Sequence, residues 1–167
     1  MRSALMTTLA VLVNVTVLCL PATGQSENPA AQDLVIKSEV ETAISMLQSI
    51  AAKQQRGEMT LDQAKKLGAD LLRELQYGTD GYFWADTTEG VNVVLNGRKD
   101  VEGRNRLDAR DTKGTSYIKE TITKARAGGG YVEYWFPKKG QTVSQAKRSY
   151  VLLFKPFGWV VGTGYYR

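Results

Sequence analysis

The last third of the chain, residues 128–166, reads GGGYVEYWFPKKGQTVSQAKRSYVLLFKPFGWVVGTGYY. Three runs within it, residues 131–136, 150–154 and 159–166, are rich in aromatic and β-branched side chains. Side chains that alternate with a period of two predict strands with two different faces. Glycine-containing turns at residues 138–140 and 156–158 separate the runs. We expect one face of this sheet to cover a core and the other to help form a pocket for a small ligand.

Two amphipathic helices are predicted ahead of these strands. Apolar residues recur at intervals of three and four after Asp33, the expected N-cap, and the pattern ends at Gly57. Thr60 opens the second helix, because Thr60 and Gln63 have the spacing of a capping box. The polar residues 25–32 are interpreted as a flexible lead-in to the first helix.

Two further strands and one more helix complete the predicted order of elements. The strands are expected at residues 82–85 and 91–95, and the helix at 116–127, after a charged connection at 98–114. Long connections in compact domains are often binding segments or covers. The sequence therefore predicts one α+β domain, residues 33–167, in which N-terminal helices pack on a five-stranded antiparallel sheet.

The composition excludes several kinds of function. A length of 167 residues suffices for one domain. The net charge of +5 comes from scattered Lys and Arg residues rather than from a basic stripe, so no nucleic-acid partner is expected. The chain has no histidine, and its single cysteine, Cys19, lies near the N-terminus. Since the commonest general base, transition-metal ligand and thiolate nucleophile are missing, we expect neither a metal nor a cofactor.

Residues 1–24 have the features of a secretory signal peptide. Arg2 supplies the positive start, residues 4–20 are largely apolar, and Pro21 precedes small residues at the expected cleavage site. Cleavage is expected after Gly24, which predicts a periplasmic or secreted protein. The alternative is an uncleaved membrane anchor, for which an apolar run of about 17 residues is at the lower limit of a membrane span.

Four segments resemble the single Cache domain of the second type. They are GYFW (81–84), GGGYVEY (128–134), KRSYV (147–151) and FGWVVGTGY (157–165). The resemblance covers roughly residues 35–166 and implies an extracytoplasmic domain with a long N-terminal helix on a PAS-like antiparallel sheet. Domains of this family sense small organic acids such as acetate, propionate, lactate or pyruvate, as outer parts of chemoreceptors and histidine kinases.

The sequence departs from the family pattern in two places. Family members typically have a His-Pro pair at the end of the second strand, where this chain has Leu95-Asn96. Receptor members continue into a membrane helix after the last strand, whereas this sequence stops at Arg167. We therefore expect a free ligand-binding domain that acts with a separate membrane receptor, kinase or transporter.

A bound carboxylate requires two or three converging donors in a mostly apolar pocket, and a cation strengthens the contact. Residue types suited to this task are Tyr82, Trp84, Asp86, Tyr134, Lys147 and Tyr150. Tyr82 and Trp84 share one face of a strand. Lys147 and Tyr150 have opposite parity, so either the strand bulges between them or one side chain points away.

The cation that contacts the ligand is the central assignment. The resemblance gives this role to Lys147, and the alternative is Arg104 or Arg106 from the connection. Asp80 and Asp86 are interpreted as turn residues, of which Asp86 is the one expected to reach a bound polar group.

Two other functions fit parts of the sequence. A hydrolase would need paired carboxylates such as Asp86 and Glu133, but Glu133 is expected to point outward and the spacing predicts no such pair. A structural or inhibitor protein would pair a sheet edge with a partner protein. We interpret the chain as a binding protein for a small organic acid and not as an enzyme.

Overall fold

The computed structural model describes residues 28–95 and 98–167. The predicted leader and its cleavage site after Gly24 therefore lie outside the described residues, as does Asn96. No helix in this part of the chain is both long enough and apolar enough to cross a membrane.

The described residues form three α-helices, each with apolar periodicity, and a capping side chain opens the first two of them. Helix α1 spans Pro29–Gln55, α2 spans Leu61–Glu74 and α3 spans Tyr117–Arg126. The predicted start of α1 was five residues late, because Asn28 and not Asp33 caps the helix, and residues 29–32, predicted as part of a flexible lead-in, are its first turn. The side chain of Asn28 accepts a hydrogen bond from Ala30 N, and Pro29 suits the first helical position. The capping box that opens α2 at Thr60 is confirmed.

Within the described part of the chain, seven strands form a small ribbon and one larger sheet. Strands β1 (Gln76–Tyr77) and β2 (Gly81–Tyr82) make the ribbon, which the sequence did not predict. The larger sheet has the antiparallel order β4-β3-β7-β6-β5. Its strands are β3 (Trp84–Thr87), β4 (Asn92–Leu95), β5 (Gly130–Pro137), β6 (Ser144–Phe154) and β7 (Trp159–Tyr166). The predicted five-stranded antiparallel sheet is thus confirmed.

The larger sheet is buried on both faces. Helices α1 and α2 cover the first face, where the buried side chains include Leu47, Leu72, Phe83, Val94 and Val161. Helix α3 and the connection before it cover the second face, where they include Ile118, Ile122, Val132, Val151 and Val160. Neighbours along a strand, such as Val160 and Val161, fall on opposite faces, as the period-two pattern predicts.

Candidate functional site

A small cavity lies between the second face of the sheet and α3. The space in it that a water-sized sphere can occupy is about 10 Å³, room for about one water molecule and far below the usual range for small-molecule pockets. Aromatic and aliphatic side chains form most of its wall, with a few charged groups among them. The lining residues are Trp84, Asp86, Leu95, Arg106, Tyr117, Ile118, Thr121, Tyr134, Phe136 and Lys147. A cavity this small has room only for a ligand of few non-hydrogen atoms, and the lining side chains must move apart to admit one.

Lys147 on β6 is the buried cation of this cavity, since only 2% of its surface is exposed. Its Nζ donates a hydrogen bond to Tyr82 Oη at 2.7 Å. Three aromatic rings surround the ammonium, with centroids 4.3 Å (Tyr82), 5.0 Å (Tyr166) and 5.6 Å (Phe136) from Nζ. No carboxylate of the described residues pairs with it, and burial lowers its pKa to about 7, opposed only by the more distant charge of Asp80.

A second charged group, Asp86, is already neutralised inside the protein. Both of its carboxylate oxygens accept hydrogen bonds from Arg106 Nη2, at 2.8 and 3.0 Å, and Oδ1 accepts another from Asn92 Nδ2 at 2.9 Å. A register shift between β3 and β4 sets Asn92 opposite Asp86. Burial raises the pKa of the Asp86 carboxyl, and Arg106 opposes this effect. Because Asp86 and Arg106 cancel, Lys147 determines the net charge of the cavity.

Two more donors belong to residues that line the cavity. Trp84 Nε1 and Arg106 Nε are buried and have no hydrogen-bond partner within residues 28–95 and 98–167. A buried donor without an acceptor costs roughly 1–3 kcal/mol. An acceptor bound in the cavity would satisfy such donors, so the arrangement is complementary to an anion rather than to a cation.

Gly162 makes room for the Trp84 indole. The two residues are paired between β3 and β7. A Cβ at position 162 would overlap Trp84 Cζ2 and lie 2.8 Å from Cε2. The glycine in the WVVGTGYY segment therefore leaves the space on β7 that the Trp84 indole occupies at the cavity wall.

Replacing Gly162 with alanine is expected to displace the Trp84 ring and to lower the free energy of unfolding by about 1–3 kcal/mol. The double variant Gly162→Ala/Trp84→Phe lacks the overlapping ring atoms, so its loss should be smaller than the sum of the two single losses. Urea unfolding of all four proteins measures this coupling. Simple additivity of the two losses would contradict the proposed contact.

The structure brings most of the predicted site residues together. Five of them line the cavity: Trp84, Asp86, Arg106, Tyr134 and Lys147. Tyr82 does not line it but accepts the hydrogen bond of Lys147. Tyr134 Oη is hydrogen-bonded to Ser149 Oγ at 3.0 Å, and the Tyr134 ring stacks on Tyr117.

Two predicted site residues lie elsewhere. Strand β6 continues without a bulge between Lys147 and Tyr150, so Tyr150 faces α1, against Ile36 and Val40. Arg104 is exposed and does not line the cavity. Arg106 is therefore the arginine of the connection that reaches the site.

The carboxylate assignments also change. Asp86 is a strand residue of β3 and not a turn residue. Its side chain lies on the second face, where Arg106 and Asn92 hold it by hydrogen bonds. Glu133 is exposed, as expected, and pairs with Arg148 on the first face. Asp86 and Glu133 lie on opposite sides of the sheet, so they cannot act together as the pair that a hydrolase would need.

Sequence reasoning missed Tyr117, Phe136 and Tyr166 as parts of the site. Phe136 and Tyr166 have the parity of Tyr134 and Gly162 on their strands, which was a usable signal. Tyr117 lies on α3, and only the docking of that helix brings it to the cavity.

The profile of the single Cache domain 2 family matches residues 30–167. The chain is 36% identical over 124 residues to the sensor histidine kinase MctS of Rhizobium johnstonii, and the match covers 74% of this chain and 26% of the kinase. It is 30% identical over 128 residues to the chemotaxis protein McpP of Pseudomonas putida, covering 76% of this chain and 24% of that protein. The chain thus spans about a quarter of the length of these curated relatives.

Solved structures agree with this assignment. One is the periplasmic sensor domain of a chemotaxis protein, with a TM-score of 0.81 and 32% identity over 84% of this chain and 99% of that one. Another is a Cache chemosensory domain studied for carboxylic acid recognition, with a TM-score of 0.80 and 28% identity over 83% of this chain and 95% of that one. The chain belongs to the single Cache domain 2 family, whose members are extracytoplasmic sensor domains of chemoreceptors and sensor kinases.

Proposed function

We propose that this domain binds a short organic monoanion, a small carboxylate, in the cavity at Lys147. In this proposal it is a periplasmic or secreted sensor domain that acts with a membrane signalling or transport partner. Two relatives, a sensor kinase and a chemoreceptor, support the signalling context. A structural neighbour studied for carboxylic acid recognition supports the ligand class.

The observation that carries the proposal is the unpaired charge of Lys147. A buried ammonium is costly unless an anion pairs with it. Its hydrogen-bond and ring contacts among residues 28–95 and 98–167 are one hydroxyl and three aromatic rings, and none of them supplies a full negative charge. A ligand carboxylate would supply that charge and form a charge-assisted hydrogen bond.

Cavity size and charge narrow the ligand class further. The small volume of the cavity, about 10 Å³, favours an acid with few carbons over a longer one. Arg106 is already paired with Asp86, so Lys147 remains, among the described residues that line the cavity, as the uncompensated cation for one carboxylate. Trp84 Nε1 and Arg106 Nε are donors that a second oxygen of the ligand could reach.

Propionate is expected to bind the wild-type domain, most tightly below pH 7. Lys147 is charged there, and its pKa of about 7 in the empty domain means that the charged fraction falls above that pH. Affinity should therefore drop by about tenfold per pH unit above the midpoint, because binding must also take up a proton. Titration calorimetry at pH 6, 7, 8 and 9 measures this dependence.

The neutral isostere propionamide is the matched control ligand, and no binding is expected for it. Propionate at about 100 times its dissociation constant should also stabilise the domain by roughly 2.7 kcal/mol. The absence of binding by any short carboxylate, or an affinity that does not change between pH 6 and pH 9, would count against the proposal.

A further inference from the structure

Tyr166, the penultimate residue of the chain, does not line the cavity but is connected to it. It lies opposite Lys147 in the pairing of β6 with β7. Its hydroxyl is 3.1 Å from Tyr82 Oη and donates to the Pro137 carbonyl at 2.9 Å. Tyr82 Oη in turn accepts the hydrogen bond from Lys147 Nζ. Lys147, Tyr82, Tyr166 and the Pro137 carbonyl thus form one hydrogen-bond chain from the cavity to the β5–β6 hairpin.

The Pro137 carbonyl, at the end of this hydrogen-bond chain, fixes the direction of every hydrogen bond in it. A carbonyl oxygen can only accept a hydrogen bond, so the Tyr166 hydroxyl donates its one proton to the Pro137 carbonyl oxygen. Tyr166 Oη then accepts the proton of Tyr82. Because the Tyr82 proton points away from the cavity, Tyr82 Oη offers a lone pair to Lys147, which must be the donor.

We propose that Tyr166 is a positioning residue of the carboxylate site, because its hydroxyl acts through Tyr82 to keep Lys147 as a charged hydrogen-bond donor. The proposal rests on the proposed function for its purpose, since only a protonated Lys147 can pair with an anion. Without the Tyr166 hydroxyl, the buried Tyr82 proton loses its acceptor. Tyr82 would then turn its proton toward Lys147, and that arrangement stabilises the neutral amine.

No other titratable group that faces this cavity among the described residues takes over the support of the Lys147 charge from the hydrogen-bond chain through Tyr82 and Tyr166. Facing the same cavity are Asp86, Arg106, Tyr117 and Tyr134, and Asp80 lies farther away. Asp86 and Arg106 neutralise each other. Burial raises the pKa values of the Tyr82 and Tyr134 hydroxyls, so both stay neutral over the pH range of interest. Within the described residues, the Tyr82–Tyr166 chain is therefore the hydrogen-bonded support of the Lys147 charge.

The test is the titration of Lys147 in the ligand-free domain, followed by NMR of ¹³C-labelled lysine and assigned with Lys147→Met. Tyr166→Phe keeps the ring and removes the hydroxyl, and it should lower the Lys147 titration midpoint by about one pH unit. Tyr165→Phe is the matched control, because the Tyr165 hydroxyl bonds Asp33 on the opposite face. Its Lys147 midpoint should equal that of the wild type.

Propionate binding provides a second readout. Tyr166→Phe should bind about tenfold more weakly than wild type at pH 7.5, and equally well at a pH below both midpoints. Tyr82→Phe removes the middle hydroxyl and should also lower the Lys147 midpoint, which keeps a test available if Tyr166→Phe does not fold. Unchanged Lys147 midpoints in the hydroxyl variants would overturn the role of Tyr166. Failure of the wild type to bind propionate would instead overturn the proposed function.

Discussion

Replacing Lys147 with methionine is expected to abolish carboxylate binding and, at the same time, to stabilise the empty domain. Methionine fills a similar volume without a charge, so the aromatic contacts remain. Lys147 is the uncompensated cation among the described residues that line the cavity, so its loss should weaken propionate binding at pH 6 by at least about 100-fold, or nearly 3 kcal/mol. Titration calorimetry measures the loss.

The gain in stability follows from proton linkage. Burial lowers the pKa of Lys147 to about 7 in the folded domain, below its ordinary value of 10.5 in the unfolded chain. Between these two values the unfolded chain binds more protons, so wild-type stability rises with pH. Below pH 7 the full cost of burying the ammonium is present, and Lys147→Met removes it. The melting temperature of the ligand-free variant at pH 6 should therefore be about 5–10 °C above that of wild type.

Lys119→Met is the matched control, because this lysine is half exposed and pairs with Asp108 at the surface. It should change neither propionate affinity nor melting temperature by much. A Lys147→Met variant that binds propionate like the wild type would assign the anion to another cation, with Arg106 the first candidate. A variant less stable than wild type at pH 6 would mean that Lys147 is already paired in the empty domain.

Replacing Arg106 with methionine is expected to destabilise the domain by about 3–5 kcal/mol at pH 7. The two cations of the cavity thus have opposite effects on stability, because Arg106 has an internal partner and Lys147 has none. Removal of Arg106 leaves the Asp86 carboxylate, which is fully buried, with Asn92 as its hydrogen-bond donor. Urea unfolding of wild type and variant measures the difference.

The loss in free energy of unfolding caused by Arg106→Met should become smaller as the pH falls. Burial already raises the pKa of Asp86, and removing the arginine raises it further. A carboxyl that titrates higher in the folded than in the unfolded state binds more protons when folded, so acidification favours the folded state. Arg98→Met is the matched control, since Arg98 pairs with Asp100 at the surface and should lose less than about 1 kcal/mol. Equal losses in the two variants, or a loss independent of pH, would contradict this account.

Local patterns in the sequence were enough to predict most of the fold. The capping box at Thr60 and the alternation in β5, β6 and β7 depend on residues a few positions apart. The short ribbon of β1 and β2 was missed, because two-residue strands leave no periodic signal. The start of α1 was misplaced because Asn28 and Asp33 are both good N-caps, and sequence alone does not rank them.

The site was predictable only where strand parity constrains it. Parity placed Tyr82 with Trp84 and separated Lys147 from Tyr150, but it did not show which of the latter two faces the cavity. The answer depends on which face α1 covers, and α1 covers Tyr150. The choice between Arg104 and Arg106 depended on the path of an irregular connection. Asp86 was taken as a turn residue because its partners, Asn92 and Arg106, are recognisable only after the chain has folded.

The most direct test of the central claim is a crystal structure of the domain grown with propionate. The account predicts a carboxylate in the cavity with an oxygen about 2.7–2.9 Å from Lys147 Nζ and a second contact from Trp84 Nε1 or Arg106 Nε. Asp86 and Arg106 should remain paired. Propionate bound elsewhere, with the cavity at Lys147 empty, would contradict the claim.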